Sequence, residues 1–92
     1  MAELNIEVRK GRRFYVINLE GEGQVELGPG RFTYDNIVAA IINQKYSSDK
    51  MQAIINNYLL DNDAYKAEFE EMQNYRQKAK EIARNLLEQQ TN

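Results

Sequence analysis

The sequence predicts an α+β fold, an N-terminal three-stranded antiparallel β-meander followed by three α-helices, the last one long. Three observations carry that prediction. Through about residue 30, apolar residues alternate with polar ones at a period of two, as strands with one buried face require. The single proline, Pro29, sits between Gly28 and Gly30, and beyond it the apolar period changes to 3.6. Three helix-start patterns then recur at a spacing of fourteen residues. The 92 residues read as one domain, with residues 1–30 as the meander and 31–92 as the helical part.

In the first strand Leu4, Ile6 and Val8 alternate with Asn5, Glu7 and Arg9, and Gly11 between Lys10 and Arg12 supplies a turn. The second strand covers residues 13–19, with Tyr15, Ile17 and Leu19 on one face and Phe14 and Val16 on the other. Gly21 and Gly23 mark the next turn. Residues 24–27 form a short third strand with Val25 and Leu27 inward, ended by Gly28, Pro29 and Gly30, a run that neither a helix nor a central strand tolerates.

Each helix start is an apolar residue, a capping side chain and a second apolar residue: Phe32, Thr33, Ile37; Tyr46, Ser47, Met51; Leu60, Asp61, Tyr65. The cap oxygen accepts from a free backbone N–H while the two apolar residues close over it. Helices are thereby expected over residues 34–45, 48–59 and 62–88. The first would bury Ile37, Val38, Ile41 and Ile42, and the second Met51, Ile54, Ile55, Tyr58 and Leu59. The tetrad at 40–43 recurs at 53–56, which two helices facing the same sheet would explain.

The last helix is the most periodic part of the chain. Tyr65, Phe69, Met72, Tyr75, Ala79, Ile82 and Leu86 fall at three- and four-residue steps and line one face. Such a helix would be roughly 36 Å long, whereas a domain of this size has a radius of gyration of about 12 Å. These seven residues are therefore the candidate protein interface, an apolar stripe expected to overhang its domain and to be covered by a second copy of the chain or by another protein. Their spacing is equally compatible with docking on the chain's own sheet.

Chemistry is constrained mainly by what is missing. There is no cysteine and no histidine, so thiolate metal sites, disulfides and the commonest proton-transfer side chain are excluded. Gly21, Gly23, Gly28 and Gly30 fit neither a dinucleotide fingerprint nor a Walker motif, because Gly23 leads into a strand instead of a helix. Asp61, Asn62 and Asp63 resemble the opening of a calcium loop, but Tyr65, Lys66 and Met72 occupy positions where that loop needs an oxygen ligand, a glycine and a glutamate. Glu68, Glu70 and Glu71 read as a solvated helix face. No catalytic residue, no cofactor and no metal is expected, and the chain reads as a non-enzyme.

No window approaches the 18 or so apolar residues needed to cross a bilayer. Residues 1–8 carry Glu3 and Glu7, unlike a secretory leader, so a cytoplasmic setting is expected. Net charge is −2, too near neutral for a general nucleic-acid binder. Four of the twelve basic residues nonetheless cluster at Arg9, Lys10, Arg12 and Arg13, a possible phosphate contact that Arg76, Lys80 and Arg84 could extend.

From Tyr46-Ser47-Ser48-Asp49 through Glu68-Phe69, Tyr75-Arg76 and Ala79-Lys80, the chain resembles small phage- or mobile-element-derived bacterial proteins of unknown function. That resemblance covers about half the chain and implies an accessory or structural role. The sequence thus points to a small assembly or protein-interaction module that self-associates through its C-terminal helix. The alternative is a nucleic-acid-binding protein that uses the basic hairpin at residues 9–13.

Overall fold

The alternating segments form three strands. In the computed structural model, which describes the backbone of residues 2–91 and the side chains of 2–89, β1 (Ala2–Arg9), β2 (Arg12–Leu19) and β3 (Gly23–Leu27) make one antiparallel sheet in the order β1-β2-β3. The register places Leu4, Ile17 and Val25 in one cross-strand row and Ile6, Tyr15 and Leu27 in the next. These rows share the inner face, where Ile17, Leu19, Val25 and Leu27 are buried as the period of two predicts. The outer face carries Glu3, Asn5, Glu7 and Arg9 on β1, Phe14, Val16 and Asn18 on β2, and Gln24 and Glu26 on β3.

Turn chemistry sets the strand lengths. Lys10 and Gly11 both have positive φ, 53° and 78°, the requirement of a two-residue type I′ hairpin loop. After β3 the Arg31 N–H donates to the Gly28 carbonyl at 3.1 Å, with Gly30 at φ 73°. Proline second and a positive-φ glycine third is the residue order of a type II turn. It swings the chain off the sheet into α1 (Tyr34–Lys45), which is followed by α2 (Ser48–Leu60) and α3 (Lys66–Thr91).

Two helix starts fall where the caps placed them. Thr33 Oγ1 accepts from Asn36 N–H at 3.4 Å and Ser47 Oγ from Lys50 N–H at 3.1 Å. At the third, Asp61 Oδ1 accepts from Ala64 N–H at 3.1 Å, yet regular helix begins only at Lys66. Asp61 also ends α2, its N–H donating to the Asn57 carbonyl at 3.0 Å. One residue serving both helices forces the intervening chain into a turn, and the expected start at residue 62 moves four places on.

The helices do not share the sheet equally. α1 packs on β3 and α3, whereas α2 packs on α3 and has no extensive contact with the sheet. The expectation that α1 and α2 face the same sheet is therefore corrected, since α3 rather than α2 joins α1 against it. Ile54 alone of α2 is fully buried, and Leu59, expected inside, is 72% exposed because the end of α2 has no layer above it. Leu60 is exposed as well, so the third pair of apolar residues around a cap does not close into the core.

The long helix lies along its own domain. At 26 residues it is about 39 Å long, and the molecule measures 51 × 24 × 21 Å with a radius of gyration of 15.3 Å. A helix of that length fits only along the long axis. It meets α1, α2 and β1, and Met72, Tyr75, Ala79, Ala83 and Leu86 are buried in the shared core. An apolar stripe overhanging the fold is thus corrected: the estimate assumed a round domain, and the elongated one supplies cover along the helix. The element that overhangs is the β1–β2 hairpin.

Candidate functional site

β3 ends opposite Tyr15, in the row that also holds Ile6, so residues 7–9 of β1 and 12–14 of β2 continue past it as a two-stranded ribbon. The inner face of this ribbon stays apolar after the helical layer has stopped. Ile6 is 42% exposed and Val8 68%, both on the face that buries Ile17 a few residues away. Tyr15 stacks on Phe32 with ring centroids 4.4 Å apart and closes the core at the ribbon's root. Beyond that ring pair the surface is open.

The outer face is organised around Arg9. Its guanidinium lies over the Phe14 ring at 4.7 Å, bonds Glu7, and reaches across β2 to Glu26 Oε1 at 2.6 Å. Hydrogen bonds first to Glu7 and then to Glu26 raise the pKa of Arg9 above its ordinary value. The arginine thereby shields Phe14 while its charge is shared by two carboxylates. Of the four basic candidates, Arg9 is committed to the fold. Lys10, Arg12 and Arg13 are exposed around the turn.

Among the described residues no strand pairs with either outer edge of the sheet, since β1 and β3 flank β2. They differ in length. β3 has five residues and runs into Gly28 and Pro29, which blunt it. β1 has eight residues with neither glycine nor proline, so it presents the longer row of unsatisfied backbone N–H and C=O groups. Glu3, Glu7 and Arg9 stand on the outer face and leave that edge open.

The residues expected to form an interface on α3 lie mainly inside. Met72, Tyr75, Ala79 and Leu86 are buried, and Phe69 and Ile82 are half-buried against the same core. Tyr65, like Leu59 and Leu60, is exposed, and the rings of Tyr58 and Phe69 stack at 4.1 Å. Tyr75 Oη donates to the Ile41 carbonyl at 3.3 Å and lies 3.5 Å from Glu22 Oε2, while its ring meets Tyr46 edge-on at 5.7 Å. Burial, and then the Glu22 carboxylate, push the Tyr75 hydroxyl above its ordinary pKa. Lys45 and Lys78 lie over the Tyr75 ring and pair with Glu71 and Glu22. This cluster pins α3 to α1 and to the β2–β3 turn.

Two hollows remain. One of about 340 Å³ lies among the three helices, with Val38, Ile42 and Met51 on its floor and Arg76 and Lys80 at its rim. The other, about 550 Å³, includes Gly21, Gly23, Glu3 and Glu20; Gly21 and Gly23 have positive φ, 77° and 86°, as the turn between β2 and β3 requires. Among the described residues no three carboxylates converge as metal ligands, and no helix is long and apolar enough to cross a membrane. Comparison with protein families, with curated proteins and with solved structures finds no match to this chain.

The ribbon edge was accessible to sequence reasoning only in part. Alternation in residues 4–8 named the inward residues, but nothing in that pattern says that β3 would stop at Leu27 and leave Ile6 and Val8 uncovered.

Proposed function

We propose that this chain is a small non-enzymatic assembly module that associates with copies of itself through the exposed inner face and free edge of the β1–β2 ribbon. The observation that carries this reading is the uncovered pair Ile6 and Val8, placed beside an unblocked strand edge. An unpaired edge with an apolar face beside it is a template for another strand. Sequence reasoning assigned the association to the C-terminal helix. Burial of Met72, Tyr75, Ala79 and Leu86 in the chain's own core moves the proposed contact to the ribbon. An accessory or structural role, as the family resemblance implies, is in keeping with such a module.

The test is the native mass across a dilution series, for the wild type and for Val8→Lys. Val8 is 68% exposed, so the substitution should change the stability of the isolated fold by no more than about 0.5 kcal/mol. It should nevertheless weaken association. A wild type that stays monomeric up to about 1 mM, a concentration at which contacts worth only about 4 kcal/mol are populated, would remove the reading.

A second reading is favoured by the exposure of Lys10, Arg12 and Arg13 at the tip of a projecting ribbon. With Arg9 held by Glu7 and Glu26, three cations rather than four would meet phosphates. Binding to duplex DNA would then fall with salt at a log-log slope of about −2.7. The expected result is no binding at physiological salt, since the net charge of −2 opposes it. Micromolar binding abolished by Arg12→Ser with Arg13→Ser would promote this reading over the first.

A further inference from the structure

We propose that two copies of this chain join β1 to β1, antiparallel, about a two-fold axis through Ile6, to make one six-stranded sheet. The proposal rests on the self-assembly reading above and specifies its geometry. In an isologous pair, residue i of one protomer faces residue j of its partner and j faces i, so the two numbers have a constant sum. A two-fold axis perpendicular to the sheet keeps directly opposed side chains on the same face, so that sum must be even.

Overlap and charge together select the register: a sum of 16 engages only residues 7–9 of β1, and a sum of 8 leaves Val8 unpaired. A sum of 10 sets Glu3 against the partner's Glu7 twice, and a sum of 14 sets Glu7 against its own copy. Opposed like charges destabilise a strand pair. A sum of 12 opposes Glu3 to the partner's Arg9 twice and Asn5 to the partner's Glu7 twice, with no like-charge pair. It uses residues 3–9, all within β1, and stops where the Lys10-Gly11 turn begins.

The inner face agrees with this choice. The same register sets Leu4 against the partner's Val8 and Ile6 against its own copy, so a continuous apolar row covers the two residues the monomer leaves open. On the outer face Arg9 leans over Phe14 toward Glu26, away from this edge, so it meets the partner's Glu3 by exchanging Glu26 for it. β3 offers no comparable edge, being five residues long and ending in Gly28-Pro29.

The register is testable by charge reversal in trans. Within one chain Glu3 and Arg9 stand six residues apart on a strand, about 20 Å, so they do not interact in the monomer. Glu3→Arg alone and Arg9→Glu alone should each weaken the dimer at least about tenfold, as two attractive pairs become repulsive. An equimolar mixture of the two variants should dimerise as well as the wild type, because every opposed pair is then Glu against Arg. Sedimentation equilibrium reads all three samples, and far-ultraviolet circular dichroism checks that each variant is folded, since Arg9→Glu also removes the contact with Glu26. Rescue in the mixture is a result that damage to the fold cannot produce. A wild-type dimer that neither reversal weakens would overturn the β1 register while leaving self-association standing. A wild type that never dimerises would overturn both.

Discussion

Lys10 is the only residue other than glycine with positive φ, at 53°, among those described. An L-residue with a β-carbon pays about 1 to 2 kcal/mol for that conformation, and asparagine pays less. Lys10→Asn should accordingly stabilise the fold by about 0.5 to 1 kcal/mol, measurable as a higher midpoint in urea. Tyr75 makes an opposite kind of prediction, one of pH. Its hydroxyl is held above the ordinary tyrosine pKa, so the folded state retains that proton more tightly than the unfolded chain does. The resulting stabilisation is fully present below about pH 10, the unfolded value, and is lost as pH rises through the higher folded value. Tyr75→Phe should lower stability at neutral pH by about 1 kcal/mol through the lost hydrogen bond. It should also flatten the alkaline fall, and an unchanged alkaline limb in urea titrations would show that the hydroxyl is not responsible.

Among the elements, α3 bears most on the fold's stability. Leu86 is buried at its far end, and Leu86→Ala should cost about 2 to 4 kcal/mol, a large part of the roughly 5 to 14 kcal/mol available to a domain of this size. Ile82 is half-buried against the core. Ile82→Asp should therefore lower the stability of the monomer itself rather than release a folded monomer from a dimer, and thermal unfolding at fixed concentration distinguishes the two outcomes. Element boundaries were legible where one residue had one task. Thr33 and Ser47 each cap a single helix and were found by their pattern, whereas Asp61 ends α2 while supporting the turn before α3. No local pattern records that second duty. The alternation of β2 named its inner face fully, because both sides of that strand are paired.

For the whole molecule, strand order and helix number could be read from periodicity, but which helix lies on which partner could not. The apolar stripe of α3 carries the same three- and four-residue spacing whether α1 or another chain covers it. Length was the misleading quantity, since a mean radius describes a sphere and this molecule is 51 Å long and 21 Å thick. The ribbon site escaped for a related reason: exposure of Ile6 and Val8 depends on where β3 stops, eighteen or more residues away in sequence.

The meeting of β1 with α3 also sets an order of events during synthesis. β1, β2 and β3 leave the ribosome before α3, and a short meander without a helical cover has little independent stability. At about 5 to 20 residues per second, some seconds pass between the emergence of β3 and that of α3, during which β1 lacks the helix that meets it. During that interval the nascent sheet would be the form of this chain most open to chaperones and to neighbouring nascent copies. Translation that stalls before α3 emerges should therefore yield aggregates rather than a partly folded soluble domain.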